Sequence, residues 1–198
     1  MILGITGGLG CGKSTAARLF EQRGFRRLDT DAFVRDQLLT SPPVQAQLRE
    51  HFGAAVFRPD GAVDRSALAA RVFADDAELR RLEQITHPLV YAEWRRALAA
   101  EPGVPWVIEA PLLFEQGLEN WFDFTVCVAC AEAEQLVRLE QRGLNRALAG
   151  QRISKQWPLA WKIELADFVL WNDGSVDFLG EQIGLLAGAL ATPQPAPA

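Results

Sequence analysis

The stretch "GGLGCGKSTAARLF", residues 7–20, decides the fold, and it directly follows the short apolar run "MILGIT". Four of its first six residues are glycine, and each glycine costs conformational entropy when the chain folds. A packed core gains nothing from such residues. A bare backbone at this point therefore indicates that another group approaches it closely.

The spacing of this stretch identifies the approaching group as a phosphate. Gly7, Gly12, Lys13 and Ser14 match the pattern G-x-x-x-x-G-K-[ST] without a mismatch. The preceding apolar run predicts a buried strand, and a helix is predicted to begin near Lys13. Between the two, backbone N–H groups and the helix N-terminus form a concavity for anions. We expect Lys13 at the outer phosphates and the Ser14 hydroxyl at a magnesium ion.

Length, charge and hydropathy exclude several classes of protein. At 198 residues the chain suits one domain with room for a smaller insertion, and its net charge of −5 argues against a general nucleic-acid binder. No apolar run reaches the ~18 residues of a membrane span, and no signal-peptide pattern precedes the first strand. With only three cysteines in addition, we expect a cytoplasmic protein without a disulfide framework.

The cysteines form no recognisable metal motif. Cys127 and Cys130 make one C-x-x-C, but no second pair follows and the chain has only two histidines. We interpret both as small apolar residues at the end of a strand rather than as zinc ligands. Cys11 lies inside the glycine-rich loop, where an oxidant would block the site, although nothing in the sequence requires this role.

Strands alternate with helices along the rest of the chain. Strand character returns in four stretches: "GFRRLD" (24–29), "PWVIEAPLLFE" (105–115), "FDFTVCVAC" (122–130) and "DFVLWNDGS" (167–175). Helical spacing fills the segments between them, so we predict an α/β fold with a parallel five-stranded sheet flanked by helices. Ligands of such sheets bind beyond the carboxyl ends of the strands.

The segment that follows the second strand is predicted to be helical. A helix is expected from about 32 to 39, and residues 43–101 are rich in helical spacing, with Asp64 as an N-cap. The long helix in this region is expected to break or kink at His87-Pro88, because proline lacks the N–H that a helix interior uses.

Two carboxylates, Asp29 and Asp31, close the second strand in "LDTD". If the chain stays extended there, both side chains point to one face, and if it turns into a helix they diverge. A carboxylate at such a strand end accepts the proton of an attacking hydroxyl or binds magnesium through water. The alternative is that one or both cap the following helix.

Glu109 ends the apolar strand in "WVIEAPLLFE". Many phosphate-binding enzymes with this loop have a magnesium-directed acid at that position, usually an aspartate, and a purely structural role is the alternative. The next residues, Pro111, Leu112 and Leu113, suit a wall against the apolar part of a ligand, and core packing explains them equally well.

A basic segment covers residues 132–166. Its cations are Arg138, Arg142, Arg146, Arg152, Lys155 and Lys162, spread over about two predicted helices. A run of this kind is often only a solvated face. Phosphoryl transfer, however, needs cations that close over the phosphates and exclude water, so we interpret the segment as a lid.

The motifs taken together resemble the dephospho-CoA kinase family, P-loop kinases of the nucleotide-kinase type. The resemblance covers residues 2 to about 185 and rests on these stretches in this order: "GITGGLGCGKSTAARLF", "LDTDAFVRD", "VDRSALAARVFADDAELRRLEQITHPLV", "VIEAPLLFE", "LEQRGLNRALAGQRISKQ" and "ADFVLWNDGS". The first motif alone is shared by many activities, whereas the ordered set is specific. Two positions depart from the family pattern. Cys11 stands where a serine is common, and Glu109 stands at a position that varies within the family.

The resemblance implies transfer of the γ-phosphate of ATP to the ribose 3′-hydroxyl of dephospho-CoA, the last step of coenzyme A synthesis, with Mg²⁺. It implies that Asp31 is the base, that Asp29 lies nearby, and that Arg142 belongs to the lid. The implied ATP contacts are Gly10, Cys11, Gly12, Lys13, Ser14, Thr15, Asn172 and Gly174. The implied substrate contacts are Asp29, Asp31, His87, Pro88 and Leu112, with Ser14 at the metal.

The same resemblance implies a division of the chain. The kinase core is expected at about 1–39, 104–131 and 167–191, a helical CoA-binding insertion at about 40–103, and the lid at about 132–166. Residues 192–198, "TPQPAPA", are expected to be disordered. We expect a monomer or weak homo-oligomer that binds no nucleic acid and no membrane.

Three rival interpretations remain. The nearest is another P-loop kinase that acts on a nucleoside monophosphate or on the hydroxyl of a different metabolite. A regulatory GTPase would need an N-K-x-D tetrapeptide, which the chain lacks. A nucleotide sensor without turnover is the interpretation that involves no enzyme.

Overall fold

The computed structural model describes residues 1–191, so the predicted disordered tail, 192–198, lies outside the described residues. The strands are β1 (Ile2–Gly7), β2 (Arg26–Asp29), β3 (Trp106–Glu109), β4 (Phe124–Ala129) and β5 (Phe168–Trp171). The helices are α1 (Lys13–Glu21), α2 (Thr30–Phe33), α3 (Pro42–Phe52), α4 (Arg65–Ala74), α5 (Asp76–Ala100), α6 (Glu132–Gln141), α7 (Arg146–Ser154), α8 (Leu159–Leu165) and α9 (Val176–Ala191). A π-helical stretch, Val34–Leu38, continues α2.

The five strands form one sheet in the order β2-β3-β1-β4-β5. β1 pairs in parallel with both β3 and β4, and β4 pairs in parallel with β5. The central place of β1 explains why "MILGIT" is apolar without alternation, since a central strand of such a sheet is covered on both faces. The predicted fold class, a parallel five-stranded sheet flanked by helices, is confirmed.

The core on one face of the sheet joins β1 and β4 to the helices α1 and α9. Alternate strand residues point into it, namely Leu3 and Ile5 of β1 and Val126 and Val128 of β4. Helix residues that pack against them are Ala16, Ala17, Phe20, Leu179 and Ile183. The contacts of this core fix the direction in which β1 leads into α1.

The chain divides into two compact units, one made of Met1–Leu28 and the residues from Gly103 onward, the other of Asp29–Pro102. The second unit has its own core of buried apolar side chains, which are Val44, Leu48, Phe52, Val56, Val63, Leu68, Val72 and Ile85. The predicted N-cap in this unit is confirmed, because the Asp64 carboxylate accepts from the N–H groups of Ser66 (2.9 Å) and Ala67 (3.0 Å).

The predicted break at His87-Pro88 does not occur. Helix α5 runs without interruption through Pro88. Ile85 precedes the proline and Val90 and Trp94 follow it, and all three side chains are buried. Packing on both sides of the proline therefore outweighs the loss of one helix hydrogen bond, so the predicted break is wrong, whereas the alternative of a kink stays a prediction.

The basic segment 132–166 consists of three helices, α6, α7 and α8, instead of about two. Lys162 departs from the interpretation as a lid cation, because its side chain is fully buried. Its ammonium group pairs with the Glu115 carboxylate at 2.6 Å and donates to the Pro111 carbonyl at 2.7 Å. The same carboxylate oxygen accepts from the Trp157 N–H at 3.0 Å. Lys162 thus ties α8 to the chain segment that follows β3.

Replacing Lys162 with methionine should lower the free energy of unfolding by about 3–5 kcal/mol, since it leaves the mostly buried Glu115 carboxylate without its cation. Urea unfolding followed by circular dichroism measures the effect. The matched control is Arg96→Met, which removes an exposed cation paired with the half-buried Glu93 and should cost far less. Equal losses for the two variants would contradict a structural role for Lys162.

Candidate active site

The glycine-rich loop lies between the end of β1 and the start of α1, so the context that the motif requires is present. Gly12 is the residue before the helix and has a φ of 97°, in the left-handed region. A Cβ atom at this position would also collide with the amide nitrogen of the Asn172 side chain. Both facts restrict the position to glycine, which leaves the backbone N–H groups of the loop accessible to an anion.

The Lys13 side chain folds back along the loop. Its ammonium group donates to the carbonyl oxygens of Gly7 (3.1 Å) and Gly8 (2.9 Å). These contacts hold a positive charge beside the loop amides. A phosphate chain bound by those amides would meet this charge without a large movement of the lysine backbone.

Side chains from other segments hold the glycine-rich loop in place through hydrogen bonds. The sequence analysis did not predict this role for any of them. The Asn172 amide donates to the Cys11 carbonyl at 2.8 Å, and the Gln135 amide donates to the Cys11 sulfur at 2.9 Å. The Asn172 backbone in turn donates to Ala129 at 2.8 Å and accepts from the Arg138 guanidinium at 2.7 Å. These hydrogen bonds connect the loop to α6 and to the end of β5. Gln135 belongs to no motif, so nothing local in the sequence identifies it, and Arg138, predicted as a lid cation, instead holds the Asn172 carbonyl.

The buried Glu109 carboxylate at the end of β3 contacts the exposed Ser14 and the half-buried Arg27. The Ser14 hydroxyl donates to one Glu109 carboxylate oxygen at 2.7 Å. The Arg27 guanidinium donates to the other oxygen from Nε at 2.9 Å and from Nη2 at 2.7 Å. Glu109 is 5% exposed, so its charge needs the cation that Arg27 provides. The sequence analysis missed Arg27, because Arg27 and Glu109 come together only where β2 and β3 lie side by side in the sheet.

In the second unit, Asp29 and Asp31 take different roles. Helix α2 begins at Thr30, earlier than the predicted start at about 32, so the two carboxylates diverge. Asp29 caps the helix by accepting from the Ala32 N–H at 2.9 Å, which confirms the capping alternative for this residue. The Asp31 side chain is exposed.

Asp31 belongs to the lining of a groove of about 330 Å³ within the second unit. The lining consists of Asp31, Val34, Arg35, Leu39, Arg65, Leu68, Ala69, Val72, Phe73, Leu79 and Leu82. Most of these side chains are apolar, and the charged ones are a single carboxylate and two guanidinium groups. Such a groove suits a ligand with a long apolar part and a polar, anionic end.

His87 and Pro88 lie on α5 of the same unit, but neither is among the described residues that line the groove. The His87 ring lies 5.8 Å from the Tyr91 ring, which in turn lies 5.7 Å from the Trp94 ring. Burial lowers the pKa of His87 below its usual value, so the ring is neutral at neutral pH. Contact of His87 and Pro88 with the substrate stays a prediction.

The remaining predicted site residues lie at element ends or in turns. Arg142 is exposed directly after α6, Gly174 is exposed in the turn after β5, and Leu112 is half-buried after β3. Their contacts with ligands stay predictions. Cys127 and Cys130 are buried, and within residues 1–191 no group of three or more His, Cys, Asp or Glu side chains is placed to hold a metal ion. Cys127 lies within β4 and Cys130 directly follows it, and their interpretation as apolar residues rather than zinc ligands stays a prediction.

A parallel sheet whose central strand leads into a glycine-rich loop, a lysine and a helix defines the class of P-loop kinases. Comparison with known proteins gives the family. The sequence profile described as dephospho-CoA kinase matches residues 1–177. The chain belongs to the dephospho-CoA kinase family.

Two curated relatives illustrate the match. The dephospho-CoA kinase of Anaeromyxobacter dehalogenans is 44% identical over 191 residues, which covers 94% of this chain and 90% of the relative. That of Synechococcus sp. strain CC9902 is 40% identical over 188 residues, with 93% and 94% covered.

Solved structures agree with the fold. A crystal structure of a protein from Thermus thermophilus, 34% identical, superposes with a TM-score of 0.84 and covers 97% of this chain and 98% of that one. The dephospho-CoA kinase from Campylobacter jejuni, 23% identical, gives a TM-score of 0.67 with 96% of each chain covered and supports the fold alone.

In the described part of the chain, none of the helices combines the length and the apolar character that crossing a membrane requires.

Proposed function

We propose that this chain performs the reaction of its family, transfer of the γ-phosphoryl group of ATP to the ribose 3′-hydroxyl of dephospho-CoA, which gives coenzyme A and ADP. The observation that carries the choice of acceptor is the groove of the second unit, which joins an apolar lining to Asp31, Arg35 and Arg65. Dephospho-CoA has the matching parts: a long, weakly polar pantetheine arm, a diphosphate and a sugar hydroxyl.

The donor site is assigned to the glycine-rich loop and the start of α1. Backbone N–H groups from Gly10 to Thr15 would bind the β- and γ-phosphates of ATP, and the Lys13 ammonium would balance the charge that develops on the transferred group. Little covalent chemistry is required of the protein in phosphoryl transfer. The fixed loop therefore contributes mainly by positioning the phosphates in line with the acceptor.

Asp31 is assigned as the base. Its carboxylate would accept the proton of the 3′-hydroxyl while that oxygen forms a bond to the γ-phosphorus and the bond between the γ-phosphorus and the bridging oxygen of ADP breaks. Asp29 caps helix α2, whereas Asp31 lines the groove. We assign the diphosphate of the substrate to Arg35 and Arg65.

Magnesium fits the oxygen atoms at the end of β3. The Ser14 hydroxyl and the Glu109 carboxylate already contact each other, and hydroxyl, carboxylate and phosphate oxygens are the ligands that Mg²⁺ prefers. Since no cluster of three acidic groups for a metal occurs in residues 1–191, the nucleotide phosphates and water would complete the coordination. The ion would supply neutralisation of charge on the phosphates.

Arg142 is assigned to the lid, where its guanidinium would close over the phosphates and exclude water. Asn172 and Gly174 are assigned to the side of the site that receives the adenine of ATP. We further propose that the protein works in the cytoplasm as a monomer or weak homo-oligomer, without nucleic acid. Its three cysteines are free, which suits a reducing compartment.

An acceptor assay tests the reaction directly. Purified protein with ATP and Mg²⁺ should add one phosphoryl group to dephospho-CoA, as mass spectrometry of the product shows, and should leave nucleoside monophosphates unchanged. Asp31→Asn should lower kcat by about 10²–10⁴-fold and leave ATP affinity intact, because it removes only the proton acceptor. Asp60→Asn, at an exposed turn, is the control and should be neutral. Turnover of a monophosphate instead of dephospho-CoA would overturn the proposed acceptor.

The groove is tested by filling it. Ala69 lines the groove, and Ala70, its exposed neighbour on α4, does not. Ala69→Phe should raise the KM for dephospho-CoA at least about tenfold with little change in the KM for ATP, because it displaces the apolar part of the acceptor. Ala70→Phe should leave both constants unchanged. If the two variants behave alike, the pantetheine arm does not lie in this groove.

The metal assignment predicts an altered magnesium requirement in Glu109→Gln. The amide keeps the size of the carboxylate but loses its charge, so the Mg²⁺ concentration for half-maximal stimulation of ATP binding should rise by about 10–100-fold. Isothermal titration of ATP over a series of Mg²⁺ concentrations measures this. ATP binding without Mg²⁺ should change much less. Glu132→Gln, at the exposed start of α6, is the control, and an unchanged Mg²⁺ dependence in Glu109→Gln would refute the assignment.

A further inference from the structure

Two cysteines meet under the phosphate-binding loop. The Cys130 thiol donates to the Cys11 sulfur, and the two sulfur atoms are 3.5 Å apart. Cys11 belongs to the loop that follows β1, and Cys130 directly follows β4, the neighbouring strand. Both side chains are buried, with exposed fractions of 0% and 3%. The reaction assigned above uses only the backbone of Cys11 and has no role for either thiol.

The surroundings of the pair make the two sulfur atoms chemically unequal. The hydrogen bond from Cys130 lowers the pKa of the Cys11 thiol, aided by the Gln135 amide and the nearby Lys13 charge and opposed by burial. The same hydrogen bond raises the pKa of Cys130, since it retains the shared proton. Cys11 therefore has thiolate character and is the nucleophile, and Cys130 is placed to attack it in a second step.

Cys127 provides an internal comparison. Val126, Val128 and Cys130 point into the core that contains Cys11, whereas Cys127 occupies the alternate position of β4 and points to the other face of the sheet. Burial raises the pKa of Cys127 to about 12. Of the three thiols, only those of Cys11 and Cys130 are in contact with each other, and Cys11 is the nucleophile of this pair.

We propose that Cys11 and Cys130 form a reversible disulfide when the protein meets a peroxide, and that this bridge prevents the loop from binding nucleotide. The modification goes beyond the proposed phosphoryl transfer. It rests on the proposed function in one respect, namely that the glycine-rich loop is the nucleotide site.

The chemistry balances in two steps. The Cys11 thiolate attacks one oxygen of hydrogen peroxide, which breaks the O–O bond, forms the sulfenic acid and releases hydroxide. The Cys130 thiol then attacks the sulfenic sulfur, the S–S bond forms, and water leaves. The hydroxide takes up the proton that the Cys11 thiol lost on ionising, so in total two thiols are oxidised by two electrons and one peroxide is reduced to two waters. A dithiol reductant reverses the bridge by exchange and is itself oxidised.

The bridge would change the loop because the sulfur atoms must come closer. A disulfide bond is about 2.05 Å long, about 1.4 Å shorter than the present separation of the two sulfur atoms. Closing that distance removes the hydrogen bond from Gln135 and pulls on a backbone that the Asn172 amide holds at the Cys11 carbonyl. The N–H groups that form the anion site lie on the same few residues, so their directions change with it.

Burial makes access the slow step. A peroxide reaches Cys11 only when the loop opens locally, and a bound nucleotide opposes that opening. ATP should therefore protect the pair from oxidation. The rate should also fall as the pH is lowered through the pKa of Cys11, because the thiolate is lost.

The experiment starts from reduced protein whose ATP affinity has been measured by isothermal titration, which establishes the nucleotide site before any oxidation. After treatment with hydrogen peroxide, free thiols are blocked under denaturing conditions and peptides are mapped by mass spectrometry. We expect a linked Cys11–Cys130 peptide, about 2 Da lighter than the two reduced peptides together. ATP affinity should fall at least about tenfold, dithiothreitol should restore it, and ATP present during oxidation should slow the loss.

Two serine variants separate bridging from other damage. Cys130→Ser cannot form the bridge and should keep most of its ATP affinity after the same treatment, with the Cys11 sulfenic acid trapped by dimedone. Cys127→Ser, the matched control, should behave like the unaltered protein. The proposal is overturned if no Cys11–Cys130 link forms, if the link leaves ATP affinity unchanged, or if Cys130→Ser loses affinity to the same extent. None of these results depends on which acceptor the enzyme uses.

Discussion

The backbone of residues 7–12 has to be bare and fixed at the same time, and the rest of the first unit follows from that requirement. Glycine makes the backbone bare, but glycine also makes it flexible. Rigidity comes from outside the motif, through the Asn172 amide on the Cys11 carbonyl and the Gln135 amide on the Cys11 sulfur. An anion site made of N–H groups gains from such preorganisation, because the groups need no reorientation when phosphate arrives.

Two buried ion pairs surround the chain segment that follows β3. At its start, Glu109 pairs with Arg27 and accepts from Ser14, and a few residues later Glu115 pairs with Lys162. A buried pair contributes little net stability compared with apolar residues of the same size, but it tolerates few alternative arrangements. The pair with Arg27 ties this segment to β2, the hydrogen bond from Ser14 ties it to α1, and the pair with Lys162 ties it to α8. These contacts place a carboxylate beside the hydroxyl of the phosphate-binding motif.

Local signals in the sequence predicted the elements, and contacts between distant segments determined most of the supporting site. The strand, loop and helix around Lys13 and the Asp64 cap depend on neighbours within a few residues, so sequence rules reach them. Arg27 and Glu109 are 82 residues apart, and Lys162 and Pro111 are 51 apart. No local pattern links such positions. The break expected at Pro88 was wrong for the same reason, since burial of Val90 and Trp94 decides the outcome there.

The π-helical stretch after α2 determines which side chains face the groove. Asp31, Val34 and Arg35 have the spacing of one helix face, and a regular α-helix would continue that face at residue 38. The Leu39 N–H instead bonds to the Val34 carbonyl at 2.9 Å, five residues back, so the wider turn shifts the face by one residue. Leu39 accordingly lines the groove, while Leu38 turns into the core. The irregular turn thus extends the apolar lining away from Asp31, as a substrate with a hydroxyl at one end and an apolar arm requires.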